Sequence, residues 1–429
     1  MKEYRYHDII NQLSKKGSVP GITTMCRLLE CLGHPEKELN IIHIAGTNGK
    51  GSTLAFLSSI LVTSGYQVGR YISPTIHCYE ERFQINGSYM DPDSLEKYFT
   101  KIEEVSKQME AAGQAGPTIF EAETAIALLY FRDHKVDYAL IETGMGGLED
   151  ATNAINNQML TLIASISEDH KAILGDTVEK IAAQKAGIIK ENTPVILAKN
   201  IPSVKEVIKN VCLSKNAPYM EAEEGLGKVE SSATGNTFVW KKAEYIMQLA
   251  GSHQVDNAAT ALLAAEQLRL LGASEITEKT MWEGIRNTVW PGRLELLLRE
   301  PPFYLDGAHN PDGARKLADF LEKHFTNKRI VYIMGVLGDK EYDIMLSMLM
   351  PLCEKAYVFT PNNARGLQAE RLAASMAIYG KPVQVCENVN MAVESALKEN
   401  KEADCFVLCG SLSFIEEFRA SWPGCIPME

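Results

Sequence analysis

The sequence has no apolar run long enough for a bilayer, no CxxC pair, no low-complexity tract and no surplus of positive charge. Each absence removes a class of function. A transmembrane helix needs about 20 mostly apolar residues and a secretory leader an apolar stretch of about 7 to 15. The opening MKEYRYHDIINQLSKKG offers neither, so a cytosolic protein without membrane contact is expected. Nine cysteines, an odd number without paired spacing, argue for reduced, mostly buried thiols over a disulfide framework or a zinc site. Lys and Arg total 43 against 55 Asp and Glu, a formal net charge of −12. Gripping nucleic acid or an anionic membrane needs a basic face, so both are excluded as main partners. An anionic ligand must be met by local groups.

What is present is the composition of a globular chain, 45% hydrophobic and 23% charged, able to bury large cores. At 429 residues it exceeds one ordinary core, and about 150 residues per domain suggests two or three units. Short β-rich runs alternate with helical stretches, the pattern of a parallel sheet covered on both faces. The predicted strands are IIHIA (41–45), VGRYI (68–72), YALIE (138–142), TLIASI (161–166) and VILA (195–198); helices are predicted over 52–64, 93–112, 120–134 and 176–190. Between 219 and 250 the texture changes to turn-linked short strands, read as a small antiparallel patch on the first domain. Helices follow at 255–272 and 277–288, and WPGRLELL (290–297) marks a boundary because Pro291 and Gly292 stop the helix before them. Beyond it FYLDG, IVYIMGV, AYVFT, VQV and CFVLCGS restart the alternation. The expected division is 1–295 for a first domain and 296–429 for a smaller second α/β domain.

GTNGKGS (46–52) nearly spells a phosphate-binding P-loop, but Gly51 separates Lys50 from Ser52 and the loop is short. The strand before it and the helix STLAFLSSILVTSG after it are what such a site needs: backbone amides at a helix N-terminus, a lysine, and a hydroxyl. A plain strand-to-helix turn would read much the same. Glu142 ends a predicted strand ahead of glycines, where a carboxylate holding Mg²⁺ belongs, although a cap or an ion pair also places a Glu there. ASISEDHKAILG offers Glu168, Asp169 and His170 at a second strand end; a single His is as readily a packed or surface group. Lys185 lies in the apolar IAAQKAGIIK, a snorkelling lysine on the bland reading. DGAHNPDG (306–313) gathers Asp306, His309 and Asn310 in a turn ahead of a helix.

Taken together the motifs resemble the Mur ligase superfamily, and within it the folylpolyglutamate synthase and dihydrofolate synthase family. GTNGKGST, SPTIHCYEERFQING, TIFEAETA, IETGMGGLEDATN, DHKAILGDTVEKIAAQKAGIIK, GSHQVDNA, WPGRLE, DGAHNPDG and GVLGDKEY occur in order along nearly the whole chain. The short loop with GTNGK is then the superfamily's own form. Two segments depart from the family: Thr75-Ile76 stand where it often has His-Leu, and Leu148-Glu149 where it often has Arg-Leu.

The resemblance implies a P-loop-containing parallel-sheet ATPase domain followed by a smaller Rossmann-like domain, and an ATP-dependent amide ligase. The γ-phosphoryl group passes to a substrate carboxylate and glutamate attacks the acyl phosphate. Carried over by position, Asn48, Gly49, Lys50, Gly51 and Ser52 hold the triphosphate, and Asn257, Arg293 and Asp306 contact the nucleotide. Ser73, Glu142 and His170 match magnesium positions; Lys185 matches a carbamylated lysine serving a second Mg²⁺ site. His309 and Ser411 lie where glutamate is received, so that Lys50, Lys185 and His309 are the catalytic candidates. Small-molecule substrates are implied (folate or dihydropteroate, L-glutamate and ATP), with the chain a monomer. Two readings compete: ligation of another carboxylate, as in peptidoglycan precursor or cyanophycin-type ligases, and a P-loop switch that forms no bond. The switch has no need of Asp306 and His309.

Overall fold

In the computed structural model, which describes residues 4–17 and 19–422, the apolar run IIHIA becomes β1 (Ile41–Ala45), buried at every position. A strand buried on both faces belongs inside a parallel sheet. It lies between β5 (Tyr138–Glu142) and β6 (Leu160–Ile163) in an eight-stranded sheet of order β4-β3-β2-β5-β1-β6-β7-β8. The other strands are β2 (Val68–Tyr71), β3 (Phe83–Ile85), β4 (Ser88–Tyr89), β7 (Val195–Leu197) and β8 (Tyr219–Glu221). Only β3 and β4 run antiparallel to their neighbours, and sequence pattern alone had not separated them from a loop.

Register aligns the ends of these strands. Ile44 pairs with Glu142, Tyr71 with Ile141 and Ala45 with Ile163, so the residues following β1, β2, β5 and β6 leave the sheet at one edge. In open α/β sheets that edge is where ligands bind. The helices fall within two residues of expectation at 50–63, 92–111 and 119–133. Asp91 caps the second, accepting from Ser94 N at 2.9 Å. Thr118 and Glu121 form a capping box on the third, a device worth about 1 kcal/mol. The stretch predicted helical over 176–190 forms Val178–Ala186 only.

A second sheet holds β9 (Leu226–Ser232), β10 (Gly235–Trp240) and β11 (Ala243–Met247); β10 and β11 pair antiparallel as the 219–250 texture predicted, but Tyr219–Glu221 at the start of that stretch is β8, parallel to β7 in the first sheet. A third has six strands: β12 (Glu295–Arg299), β13 (Pro302–Leu305), β14 (Ile330–Met334), β15 (Cys353–Val358), β16 (Val383–Val385) and β17 (Cys405–Cys409). Its order is β12-β13-β17-β14-β15-β16, parallel except for β12. Alternate residues serve opposite cores: Tyr304, Tyr332 and Val407 pack in one cluster, Phe303, Ile333 and Phe406 in another.

The chain divides into two compact units, but not at 295/296. The first holds the chain up to Pro74, Tyr79–Leu226 and Asp256–Asn287; the second holds Thr75–Cys78, Gly227–Val255 and everything from Thr288 on. The antiparallel patch thus groups with the second unit. The cause is packing that sequence order hides: Tyr304 Oη donates to Ala233 O at 3.0 Å, and Ala233 and Ala250 join the core of the six-stranded sheet. Cys212, Cys353, Cys405 and Cys409 are buried, Cys78 and Cys386 are half-buried, and Cys26 and Cys31 are exposed. No helix among the described residues is long and apolar enough to cross a membrane.

Candidate active site

In the first unit β1 delivers Gly46–Gly49 to the helix Lys50–Thr63. Gly49 adopts φ +85°, and a Cβ there would stand 2.4 Å from Asn257 Oδ1, so no other residue fits without displacement. Gly46 is equally constrained, its imagined Cβ lying 2.7 Å from the Ala164 side chain. The loop is pinned to the segment after β6: Thr47 N and Asn48 N donate to Ser165 O at 2.8 and 3.2 Å, and Thr47 Oγ1 donates to Ser167 O at 3.0 Å. No side chain caps the helix N-terminus. The first-turn amides of any helix lack internal acceptors, and an uncapped start joined to a glycine loop is an anion cradle.

Two lysines meet at this cradle. Lys50 Nζ donates to Gly46 O at 3.1 Å and stands 3.7 Å from Glu142 Oε1. Lys185 Nζ, 4% exposed, donates to the same carbonyl at 2.8 Å. Burial, and then repulsion by Lys50, lower the Lys185 pKa to about 7 against a weaker pull from Asp169 and Asp150. Lys185 is therefore not a snorkelling surface group; its helix end points it into the site. Two cations and a row of amides fit a polyphosphate.

Around the same edge Glu142 is buried, Ser73 follows β2, and His170 follows β6. His170 has φ +50° and a side chain 40% exposed, with Nε2 3.9 Å from Asp169 Oδ1. Among the described residues no three His, Cys, Asp or Glu side chains converge on one point as a ready metal site. Ser73, Glu142 and His170 share an edge of the sheet without forming a cluster of that kind. The Ser73 hydroxyl and the Glu142 carboxylate are oxygen donors of the kind Mg²⁺ takes while keeping waters, whereas the His170 imidazole offers only nitrogen. Asn257, 6% exposed on the helix His253–Leu270, lies against Gly49.

The second unit carries its own group. Asp306 follows β13 and Ser411 follows β17, and the two loops interlock: Asp306 N donates to Leu408 O at 2.9 Å and Gly410 N to Ala308 O at 3.1 Å. Both Asp306 oxygens accept backbone amides, Leu294 N at 2.8 Å and Ala308 N at 2.9 Å. Burial raises the pKa of this carboxyl, and the Arg293 guanidinium partly offsets the rise. Arg293 rests on Gly307, where a Cβ would come within 2.4 Å of Nη1. His309 Nδ1 donates to Gly307 O at 2.7 Å, which fixes the ring as the Nδ1–H tautomer when neutral. Ser411 Oγ lies 2.9 Å from Ser413 Oγ. Asn310 caps the helix Pro311–Phe325 through Gly313 N at 2.8 Å. Asp306 thus has a structural task that its position in the motif did not reveal.

Sequence reasoning missed a third group. Asp150 accepts from Met145 N at 2.8 Å and from Thr152 N at 3.0 Å, and the Thr152 hydroxyl lies 2.6 Å from Asp150 and 2.8 Å from His43 Nε2. The signal was legible in part, since Asp-x-Thr is a frequent local turn. His43 was not, because it hides in an apolar strand 109 residues away.

The Mur ligase middle domain family matches residues 44–265, and the Mur ligase glutamate ligase domain family matches 292–412. A dihydrofolate synthase/folylpolyglutamate synthase of Bacillus subtilis is 38% identical over 417 residues, covering 94% of this chain and 95% of that protein. A folylpolyglutamate synthase of Lacticaseibacillus casei is 30% identical, covering 83% and 84%. Among solved structures, Mycobacterium tuberculosis folylpolyglutamate synthase complexed with ADP superposes with TM-score 0.88 at 28% identity, over 96% of this chain and 98% of that one. Escherichia coli FolC in complex with DHPP and ADP gives 0.84 at 27%, over 97% of each.

Proposed function

Because the chain belongs to the Mur ligase family, in its branch of folylpolyglutamate and dihydrofolate synthases, we propose how its own residues run that branch's reaction. The reaction is the ATP-dependent joining of L-glutamate to the carboxylate of a folate. A carboxylate is a poor electrophile. Its oxygen takes the γ-phosphoryl group and ADP departs; the glutamate nitrogen then attacks the acyl carbon, loses a proton, and phosphate leaves with the oxygen it received.

Charge crowding at the transferring phosphoryl group is what the first unit relieves. Asn48, Gly49, Gly51 and Ser52 cradle the phosphates, and Lys50 neutralises the terminal ones. Asn257, Arg293 and Asp306 hold the nucleotide. Ser73, Glu142 and His170 are the residues we assign to Mg²⁺, which would supply further neutralisation of the phosphate charge. Lys185 acts as its carbamate at a second metal site. Its amine adds to CO₂ and releases a proton, and a pKa near 7 leaves much of it neutral and nucleophilic. The carbamate replaces a cation repelled by Lys50 with an anion attracted to it. His309 and Ser411 receive the incoming glutamate. Dihydropteroate is a second acceptor, as the paired name of the Bacillus subtilis relative supports.

One observation carries this account: the Nζ atoms of Lys50 and Lys185 both donate to the single Gly46 carbonyl beside an uncapped helix start. It is tested by phosphate release from MgATP and glutamate with tetrahydrofolate, with dihydropteroate, and with neither, while product mass is followed. Growth of each acceptor by glutamate units is expected. Phosphate release that ignores both acceptors, with no new mass, removes the ligase reading and returns the loop to the switch.

A further inference from the structure

His43 is a polar residue at the centre of an apolar strand, with no exposed surface. Burying an imidazole has a cost that its hydrogen bonds must offset, and β1 needs no histidine to deliver the phosphate loop. Its ring Nε2 lies 2.8 Å from Thr152 Oγ1, and Thr152 Oγ1 lies 2.6 Å from Asp150 Oδ1. The amides of Met145, at 2.8 Å, and Gly144 face the same carboxyl. The Thr152 hydroxyl donates to Asp150 Oδ1, which leaves its oxygen to accept from His43 Nε2–H. This order fixes the neutral Nε2–H tautomer and leaves Nδ1 as a buried nitrogen with no hydrogen-bond partner.

The far end of the relay is the loop between Glu142 and Asp150. There Leu148 N donates to Gln184 O at 2.8 Å, and Gly147 sits so close to the helix of Lys185 that a Cβ would stand 2.8 Å from Lys185 O. The loop therefore links the end of β5 to the backbone that aims Lys185. We propose that His43 is a positioning residue, acting through Thr152 and Asp150 to set the Gly144–Leu148 loop against Lys185. The assignment rests on the reading of Glu142 and Lys185 as site residues; His43 itself touches no reacting atom.

Thr152→Val is nearly isosteric and removes only the hydroxyl, His43→Leu removes the donor, and His43→Gln restores one. Groups that orient a site's ligands typically cost about 10- to 100-fold in activity when lost. Thr152→Val and His43→Leu are each expected to lower kcat/KM in that range without adding in the double variant, while ADP affinity holds and His43→Gln recovers most of the activity. Nitrogen NMR of wild-type protein, with the His43 signals assigned by their loss in His43→Leu, should show His43 neutral, Nε2-protonated and not titrating between pH 5 and 8. Losses that add, activities within twofold of wild type, ADP affinity falling in parallel, or an Nδ1–H tautomer each overturn the proposal. If wild-type protein makes no ligated product, the function proposed above fails by itself. Amide exchange at Met145, faster in Thr152→Val or unchanged, then decides whether the relay holds the loop.

Discussion

At the scale of single residues, Lys50 and Lys185 are two lysines with opposite problems. Lys50 is partly exposed and stands 3.7 Å from Glu142 Oε1 at the mouth of the glycine loop. Lys50→Ala is expected to cost at least about 10²-fold in kcat, the scale of losing one preorganised donor, with phosphate release as the assay. Wild-type turnover in that variant would end the role assigned to it. Lys185 is buried with its pKa lowered to about 7, and the unfolded chain holds that proton up to the ordinary lysine range. The unfolded state therefore binds more protons between these values, and stability rises with pH across that window; the burden is complete below pH 7. In CO₂-free buffer Lys185→Met should stabilise the protein, by on the order of 2 kcal/mol more at pH 6 than at pH 9. Equal effects at both pH values in denaturant titrations would show that the amine is not strained. The same position should lose ligation on Lys185→Ala and regain part of it with added short carboxylates; full activity without them would exclude the carbamate.

The elements were the most legible level, because IIHIA, YALIE and IVYIM are too apolar for any place but a buried parallel strand. Their ends then fixed where Gly46, Glu142 and His170 would emerge. What the sequence could not convey was contact between distant segments: Asn257 against Gly49, His43 against Thr152, and both oxygens of Asp306 spent on backbone amides. Patterning reports the face a residue presents, while such contacts depend on which elements become neighbours. The strand-to-helix turn at Gly49 gives this level its test. An alanine there must hold φ +85° and push into Asn257, so Gly49→Ala should weaken ADP binding by at least about tenfold while circular dichroism stays native. An unchanged Kd by calorimetry would mean that the loop has slack not visible in its geometry.

For the whole molecule, the domain boundary was the least legible feature, since the chain passes between the two units at Pro74, Cys78, Leu226, Val255 and Asn287. Composition changes at Pro291 and Gly292 mark only the last passage. A ligand that binds the native protein stabilises it by mass action, and ADP at about 100 times its Kd should add about 2.7 kcal/mol. The thermal transition of wild-type protein should rise accordingly and that of Lys50→Ala should not. An equal rise in both would detach nucleotide binding from the cradle.

The interleaved order of the units has a consequence for how the chain is made. The three short strands from Leu226 to Met247 leave the ribosome well before the six-stranded sheet they pack beside. At about 5–20 residues per second, Cys409 follows roughly 10–30 s later. Phe238 and Tyr245, stacked at 5.6 Å across the β10–β11 pair, belong to that earlier-made fragment. The nascent protein must carry that fragment without its partner sheet over that interval.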